Sequence, residues 1–378
     1  MKWQEKFSHI RFFLAEWWRT LDRGLLWSGL AIILCGIFLT FAASVGVAER
    51  VIKSGDSFHF VKRQLFFGAL SVGVILGTSM LSPKHIRRIA LITLVISFFM
   101  LLWLPVFGQV VKGATRWITL FGVSIQPSEF AKPAFAIFCA WIFASGRLIK
   151  NFPGIPIAAV IFLLFFLLLF LQPDFGMILT FSAIWGAEIF LAGLPLLLVI
   201  VLIVLGVVGG GVCYLLLPHM QQRIAAFLNA DSAENFQIKT ALQAFRNGGW
   251  FGLGPGEGII KAKLPDAHTD FIFAVAAEEF GFLLCIFLVF LFCFLIFRGF
   301  YVMAKEKNLF NILAAAGLLT QFGVQALINM LSTLSLIPTK GMTLPFISYG
   351  GSSLLSLAFG FGVILSLTRR HPTQGGLE

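Results

Sequence analysis

Long apolar segments dominate the pattern of hydrophobic and polar positions along this chain. Each has roughly the 20 residues that are needed to cross ~30 Å of hydrocarbon. The pattern therefore predicts an all-α polytopic membrane protein, a bundle of ten transmembrane helices, because so many apolar segments could not all be hidden from water in a soluble fold. The ten predicted spans are 25–45, 60–81, 86–107, 127–146, 155–172, 175–193, 195–217, 271–297, 308–332 and 344–368.

The N-terminal segment 1–24 has a different pattern, in which apolar residues recur every three or four positions. This spacing predicts an amphipathic helix, and the basic residues on its other face favour a position at the membrane interface. Docking against a partner helix is the alternative. The apolar stripe consists of Trp3, Phe7, Ile10, Leu14, Trp17 and Leu21.

The segment 218–270, between the seventh and eighth spans, is the longest polar connection. It contains one apolar helical stripe, from Ile238 to Phe245, which is followed by Gly248 and Gly249. We expect an interfacial helix that lies over the outer mouth of the bundle. The predicted organisation is an amphipathic segment 1–24, a membrane domain 25–368 with the large periplasmic loop 218–270, and a C-terminal tail 369–378.

Composition and charge support this interpretation. Only 12% of the residues are charged and 58% are hydrophobic, whereas soluble domains carry about 25% charged residues. The net charge of +11 is explained by Lys and Arg beside the spans, which face anionic lipid headgroups. No basic face with exposed aromatic residues is evident, so no nucleic-acid partner is predicted. The five cysteines lie in apolar segments without C-x-x-C spacing, which excludes an obvious metal or disulfide site.

The distribution of basic residues predicts the orientation. If the termini are cytoplasmic, the inner segments and the span ends beside them carry 15 Lys and Arg residues, against 8 for the outer segments and their span ends once the long loop is set aside. The long loop is discounted because such loops are translocated regardless of their charge. Both termini are therefore expected in the cytoplasm, and the polar motifs described next are expected at the outer side.

The first candidate for chemistry is the run 264–271, which precedes the eighth span. Thr269 or Asp270 could cap the first turn of the helix, a purely structural role. Alternatively, Asp270 is a carboxylate near the membrane edge that acts as a general base, with His268 beside it as a proton carrier. Further along the same helix, Glu278 and Glu279 would need a partner or a wet cavity at that depth. A structural ion pair or hydrogen bond is expected there, and at least one of the two should face the bundle interior.

Two more segments are rich in polar residues. Glu129 and Lys132, at the start of the fourth span, are three positions apart and could simply pair with each other. Arg116 could be an interface anchor, or Arg116 and Lys132 could face an anionic headgroup. The run 338–353 contains so many Pro, Gly and Ser residues that a broken or closely packed helix is expected.

Five motifs together resemble the SEDS family (shape, elongation, division, sporulation), and the resemblance covers nearly the whole chain. Within the family, the form of the last motif and the sequence of the long loop are similar to the division branch of α-proteobacteria. One departure is the run 40–44, where the family commonly has Tyr-Ser-Ala-Ser. The motifs are GATRWI at 113–118, QPSEFAK at 126–132, QPDFG at 172–176, PDAHTDFIFAVAAEEFG at 265–281 and TKGMTLPFISYGGSS at 339–353.

The resemblance implies a peptidoglycan glycosyltransferase that polymerises lipid II during septal cell-wall synthesis, in the bacterial inner membrane. Asp270 matches the family's essential aspartate. The implied substrate-binding residues are Arg116, Lys132, Lys340, His268, Thr269, Ser348 and Glu129. A divalent cation, Mg²⁺ or Mn²⁺, is a possible aid to the pyrophosphate leaving group, but no resident metal site is predicted.

The partners and the alternatives follow from the same resemblance. The sequence contains no Ser-x-x-Lys motif, which transpeptidases of the penicillin-binding type require. Cross-linking is therefore expected from a class B penicillin-binding protein, together with divisome regulators. The competing hypotheses are a lipid II flippase, in which Glu278 and Glu279 line a polar path, and a non-catalytic divisome scaffold.

Overall fold

The structure, a computed structural model, describes residues 2–51, 58–111, 114–120, 122–216, 233–338 and 341–369, with the isolated residues 221 and 225. Helices account for most of the described chain. They are α1 (Lys2–Thr20), α2 (Arg23–Val51), α3 (His59–Ser79), α4 (Pro83–Phe107), α5 (Pro127–Leu148), α6 (Gly154–Leu171), α7 (Phe175–Leu191), α8 (Leu196–Leu216), α9 (Ala233–Gly248), α10 (Ile272–Met303), α11 (Leu309–Thr333) and α12 (Gly351–Leu367).

A helix is present at each of the ten predicted spans. By length and composition, six helical segments could cross a membrane: Arg23–Ser44, Phe60–Ser79, Pro83–Phe107, Gly154–Leu171, Ile272–Met303 and Leu309–Thr333. The helices Phe175–Leu191, Leu196–Val212 and Gly351–Leu367 are apolar but shorter. The remaining predicted span corresponds to α5, which carries Glu129, Lys132 and Arg147. The number of ten spans therefore stays a prediction.

The core of the bundle is formed around α5 and α11. Helix α5 packs against α4, α6, α7, α11 and α12, and α11 also packs against α7 and α10. Small residues permit close approach where helices cross: a Cβ atom on Gly362 of α12 would lie 1.8 Å from Thr78 Oγ1 of α3. The centre of the bundle consequently places the polar residues of α5 and α11 side by side.

Helix α10 is interrupted at Gly281, which the sequence did not lead us to expect. Its φ of 78° and ψ of −177° are not helical, and this region of backbone space is readily adopted only by glycine. The chain that follows α9 satisfies the interrupted backbone: the amide of Phe282 donates to Gly249 O at 2.9 Å, and the amide of Leu253 donates to Glu278 O at 3.0 Å. The part of α10 around Gly281 is therefore hydrogen-bonded to the segment after α9.

The helix predicted in the long loop is present as α9, and it ends at Gly248 as expected. It packs along α10, where a Cβ atom on Gly248 would lie 1.9 Å from Ala277 O. Its position over the outer mouth of the bundle stays a prediction. In the N-terminal helix, Trp17 and Leu21 are buried, and Trp17 Nε1 donates to Ser79 Oγ at 3.1 Å. The end of α1 thus docks on this chain's own helices; the side chains of Trp3, Phe7 and Ile10 lie outside the described part.

Two further expectations need correction. The protein is not purely helical, because β1 (Gln109–Val111), β2 (Ala114–Leu120) and β3 (Val123–Ile125) form a three-stranded antiparallel sheet. The β-branched residues Val, Ile and Thr are frequent in these strands and are typical of sheets. The last span is also shorter than predicted, because residues 344–350, with a turn at 345–347, are not helical and precede α12. Pro345 and the positive φ of Phe346, 61°, are incompatible with a continuous helix.

Candidate active site

The turn that carries Asp270 is held by its own backbone. The amides of Thr269 and Asp270 both donate to Asp266 O, at 3.0 and 3.1 Å. Helix α10 begins only at Ile272, and its N-cap residue, Phe271, has no side-chain cap. The N-cap position is therefore occupied by Phe271 and not by Thr269 or Asp270. Asp270 is partly exposed, as a group that meets a substrate must be.

The segment 341–350 lies directly against this turn. The amide of Tyr349 donates to His268 O at 2.9 Å, and Ser348 Oγ donates to Thr269 O. The His268 ring is buried, with its centroid 4.2 Å from that of Phe60 and 5.6 Å from that of Tyr349. The structure thus brings together His268, Thr269, Asp270 and Ser348, four of the predicted site residues. Ser348 and Thr269 hold the backbone here, whereas Asp270 carries the acid.

The start of α5 supplies a buried ion pair. Lys132 Nζ lies 2.9 Å from Glu129 Oε2, and Lys132 has no exposed surface. The pairing considered from the spacing of these two residues is therefore confirmed. It does not exhaust the ammonium group, because Nζ also donates to Gln325 Oε1 of α11 at 2.8 Å. A charge in this position needs such partners, since an isolated ion is strongly disfavoured away from water.

Arg116 lies on β2 and reaches the turn between α6 and α7. Its Nη2 donates to Pro173 O at 2.7 Å, and its Nε lies 3.5 Å from Asp174 Oδ2. Burial raises the pKa of the Asp174 carboxyl, and the Arg116 guanidinium partly opposes this shift. Asp174 also interacts electrostatically with Glu129 and Lys132. Arg116 is therefore part of a charged group that is continuous with the start of α5.

The sequence reasoning missed three residues of this group. Asp174 lies in the QPDFG motif at 172–176 but is not among the predicted site residues. Gln325 and Asn329 of α11 were not singled out, although Asn329 Nδ2 donates to Asp270 O at 2.9 Å. The signal in the sequence was their four-residue spacing, which places two amides on one face of an otherwise apolar helix.

Glu278 and Glu279 are buried, and both have structural partners. Glu278 accepts hydrogen bonds from the amides of Ile260 and Lys261, at 2.7 and 2.8 Å. Glu279 forms an ion pair with Lys261, whose Nζ also donates to Ala42 O at 2.9 Å. The expected structural role of the two glutamates is confirmed. Glu188 is buried against Gly317, and nothing in the structure explains it.

Two further expectations concern Lys340 and a divalent cation. Lys340 lies outside the described residues; the neighbouring Gly341 is close to Asp270, since a Cβ atom on it would lie 3.7 Å from Asp270 Oδ2. Within the described ranges, no group of three or more His, Cys, Asp or Glu side chains is arranged to hold a metal ion. A divalent cation would thus need oxygen ligands from a bound substrate, which is common for Mg²⁺.

The arrangement provides two kinds of chemistry within one connected network. A partly exposed carboxylate can take a proton. Buried cations that are held by carboxylates can stabilise negative charge nearby, because bulk water does not screen them. A general base and charge stabilisation are what a group-transfer reaction with an anionic leaving group requires.

Comparison with known proteins places the chain in a family. The family model described as "Cell cycle protein", which covers FtsW, RodA and SpoVE, matches residues 23–372. The probable peptidoglycan glycosyltransferase FtsW of Caulobacter vibrioides is 43% identical over 96% of this chain and 93% of its own length. The protein of the same name from Saccharophagus degradans is 35% identical over 93% of this chain and 95% of its own length.

Solved structures have the same fold. One chain of a peptidoglycan synthase complex, described as coordinating polymerization and crosslinking, has a TM-score of 0.76 and 26% identity, over 92% of this chain and 97% of its own length. The rod shape determining protein RodA of Thermus thermophilus has a TM-score of 0.66 and 26% identity, over 93% and 97%. The chain belongs to the FtsW/RodA/SpoVE family of cell cycle proteins, the SEDS family that its motifs resemble, and its similarity to FtsW extends over nearly its whole length.

Proposed function

We propose that this protein is a peptidoglycan glycosyltransferase that polymerises lipid II into glycan strands during septal cell-wall synthesis. The observation that carries the proposal is the partly exposed Asp270, whose backbone carbonyl is connected through α11 to the buried Glu129–Lys132 pair. The names of the FtsW relatives support the same activity.

In the proposed reaction, Asp270 removes the proton from the 4-hydroxyl group of the acceptor's N-acetylglucosamine. The acceptor oxygen attacks the anomeric carbon of the donor, the bond to the lipid pyrophosphate breaks, and undecaprenyl pyrophosphate leaves. A single displacement inverts the anomeric centre and needs one carboxylate base.

The basic residues have different parts in this proposal. Arg116 is the more accessible cation, with 19% of its side chain exposed, so it is assigned to direct contact with the pyrophosphate. Lys132 is fully buried and acts through its electrostatic field. Lys340 is assigned to the same anion because it directly precedes Gly341. A divalent cation, Mg²⁺ or Mn²⁺, would neutralise pyrophosphate charge when bound.

The cellular setting is proposed at the same level. The chain lies in the bacterial inner membrane at the division septum, crosses it ten times and has both termini in the cytoplasm. Residues 1–24 form the amphipathic segment, 25–368 the membrane domain with the periplasmic loop 218–270, and 369–378 the tail. Its partners are a class B penicillin-binding protein, which supplies cross-linking, and divisome regulators. The similarity to a chain of a peptidoglycan synthase complex supports such a partner.

The test is polymerisation of purified lipid II by the complex of this protein with its penicillin-binding partner. We expect Asp270→Asn to lower the rate by at least ~100-fold, the usual contribution of a general base. Asp266→Asn, the same change four positions earlier in the same turn, is the matched control and should retain activity. Normal glycan synthesis by Asp270→Asn would refute the assignment of the base. Headgroup translocation in proteoliposomes without any polymer would identify a transporter instead.

A further inference from the structure

Three amide side chains lie on one face of α11. Gln321, Gln325 and Asn329 follow each other at intervals of four residues, and none is more than 1% exposed. Residues at this spacing lie on successive turns of the same helical face. The two nearer the end of the helix, Gln325 and Asn329, are hydrogen-bonded to the elements of the candidate active site.

Asn329 joins the turn that bears Asp270 to the segment 341–350. Its Nδ2 donates to Asp270 O at 2.9 Å and to Met342 O at 2.7 Å. An amide nitrogen has two hydrogens, so both are used on these two carbonyl groups. The orientation of the amide is thereby fixed, and so is the spacing between Asp270 and the segment that begins at Gly341.

Gln325 performs the equivalent task for the cation. Its Oε1 accepts from Lys132 Nζ at 2.8 Å, while its Nε2 donates to the carbonyl oxygen and to Oγ1 of Thr343, both at 3.1 Å. Thr343 Oγ1 is in turn hydrogen-bonded to Ser353 Oγ at 2.8 Å. One carboxamide therefore connects α5 with the segment 341–353. Neither a carboxylate nor an apolar side chain has both the acceptor and the donor that these contacts use.

We propose that Gln325 and Asn329 are positioning residues of the glycosyltransferase site. Asn329 holds the base-bearing turn, Gln325 holds the ammonium group of Lys132, and the rigid helix α11 fixes the relative position of the two. This inference rests on the proposed function. Neither amide is assigned a contact with the reacting atoms; both act by restricting the geometry that the transition state requires.

The experiment measures lipid II polymerisation by the intact complex with the penicillin-binding partner, over a range of substrate concentrations. Asn329→Asp keeps the shape of the side chain but replaces the NH2 group with a carboxyl oxygen, so at least one of the two donated hydrogen bonds is lost. Gln325→Leu removes the contacts with Lys132 and Thr343. The matched control is Asn311→Asp, which places the same charge on the same helix, 18 positions and ~27 Å away. Asn311 is likewise buried, at 7% exposure.

We expect kcat to fall at least tenfold in Asn329→Asp and Gln325→Leu, with KM changed by less than about threefold, because misplacement of a catalytic group by ~1 Å affects mainly the transition state. Asn311→Asp should keep the wild-type kcat. Asn329→Ser, a neutral variant with one remaining donor, should fall between the wild type and Asn329→Asp, and it serves where the charged variant does not fold.

The outcomes separate the positioning role from the proposed function. Rates in the Asn329 and Gln325 variants equal to that of the Asn311 control would overturn the positioning role, as would a rise in KM at unchanged kcat. Wild-type protein and Asp270→Asn are assayed in parallel. An inactive wild-type complex, or full activity of Asp270→Asn, would refute the proposed function itself rather than the positioning role.

Discussion

The break in α10 leads to a sharp prediction for Gly281→Ala. A Cβ atom at this position would lie 2.4 Å from Trp250 O and 2.5 Å from the amide nitrogens of Phe251 and Gly252. All three are backbone atoms, so no side-chain rotation can relieve the clash. The φ of 78° is in addition unfavourable for any residue with a Cβ atom.

The magnitude follows from the contacts that would be lost. A non-glycine residue in such a backbone region costs about 1–3 kcal/mol. Relief of the clash would separate α10 from the loop, with loss of the hydrogen bonds from Phe282 to Gly249 O and from Leu283 to Trp250 O, each worth about 0.5–1.5 kcal/mol. We therefore expect the free energy of unfolding to fall by about 2–6 kcal/mol.

The assay is reversible unfolding of the purified protein in mixed detergent micelles, and the matched control is Gly186→Ala in α7. A Cβ atom added to Gly186 would meet no atom within 4 Å, so alanine should be neutral there or stabilise the helix by about 0.5–1 kcal/mol. If Gly281→Ala, like Gly186→Ala, unfolds at the same denaturant concentration as the wild type, α10 is not interrupted at Gly281 and does not pack there against the loop.

Two more predictions concern buried charges. Lys261→Met should lower the free energy of unfolding by about 3–5 kcal/mol because Glu279 loses its cation, whereas Lys261→Met with Glu279→Gln should recover much of the loss; an equally unstable double variant would contradict the pairing. The second concerns Asp174, whose folded pKa is raised above 3.8 by burial. The native state then binds the proton more tightly, so wild-type stability should fall as the pH rises from below 3.8 through the folded pKa. Asp174→Asn should lack this component. In thermal unfolding between about pH 3 and 6, the stability of the variant relative to the wild type should therefore increase with pH; parallel pH profiles would refute the shift.

The helices were predictable from the sequence because each depends on a local apolar pattern. The ends of α2 to α8 and α10 to α12 agree with the ten apolar segments to within six residues, apart from the start of α12, which lies seven residues after the predicted start. That exception has a local cause as well: Pro345 and the positive φ of Phe346 end any helical pattern there. The small sheet of β1, β2 and β3 was not predicted, because β1 and β3 have only three residues each and no regular apolar–polar alternation marks the seven-residue β2.

The site was predictable only in part, because its connections join residues far apart in sequence. Asp270, Lys132 and Glu129 could be named from their motifs, and the pairing of the last two from their spacing. The hydrogen bond between Lys132 and Gln325 spans 193 positions, and no local pattern encodes it. No local pattern encodes the contact of Arg116 with Asp174 either, since nothing in the sequence near one of these residues points to the other.

The ends of α10 are attached to different parts of the molecule. Its C-terminal end is attached to the start of α2, since Arg298 donates to both carboxylate oxygens of Asp22, at 3.2 and 2.8 Å. Its N-terminal part, which precedes Gly281, is attached to the loop after α9 and directly follows the turn of Asp270. A push or a rotation applied at the Arg298 end would therefore not be transmitted along α10 as through a rigid rod. Mechanical coupling from the Arg298 end of α10 to Asp270 can run instead through α11, a continuous helix that holds Asp270 O through Asn329.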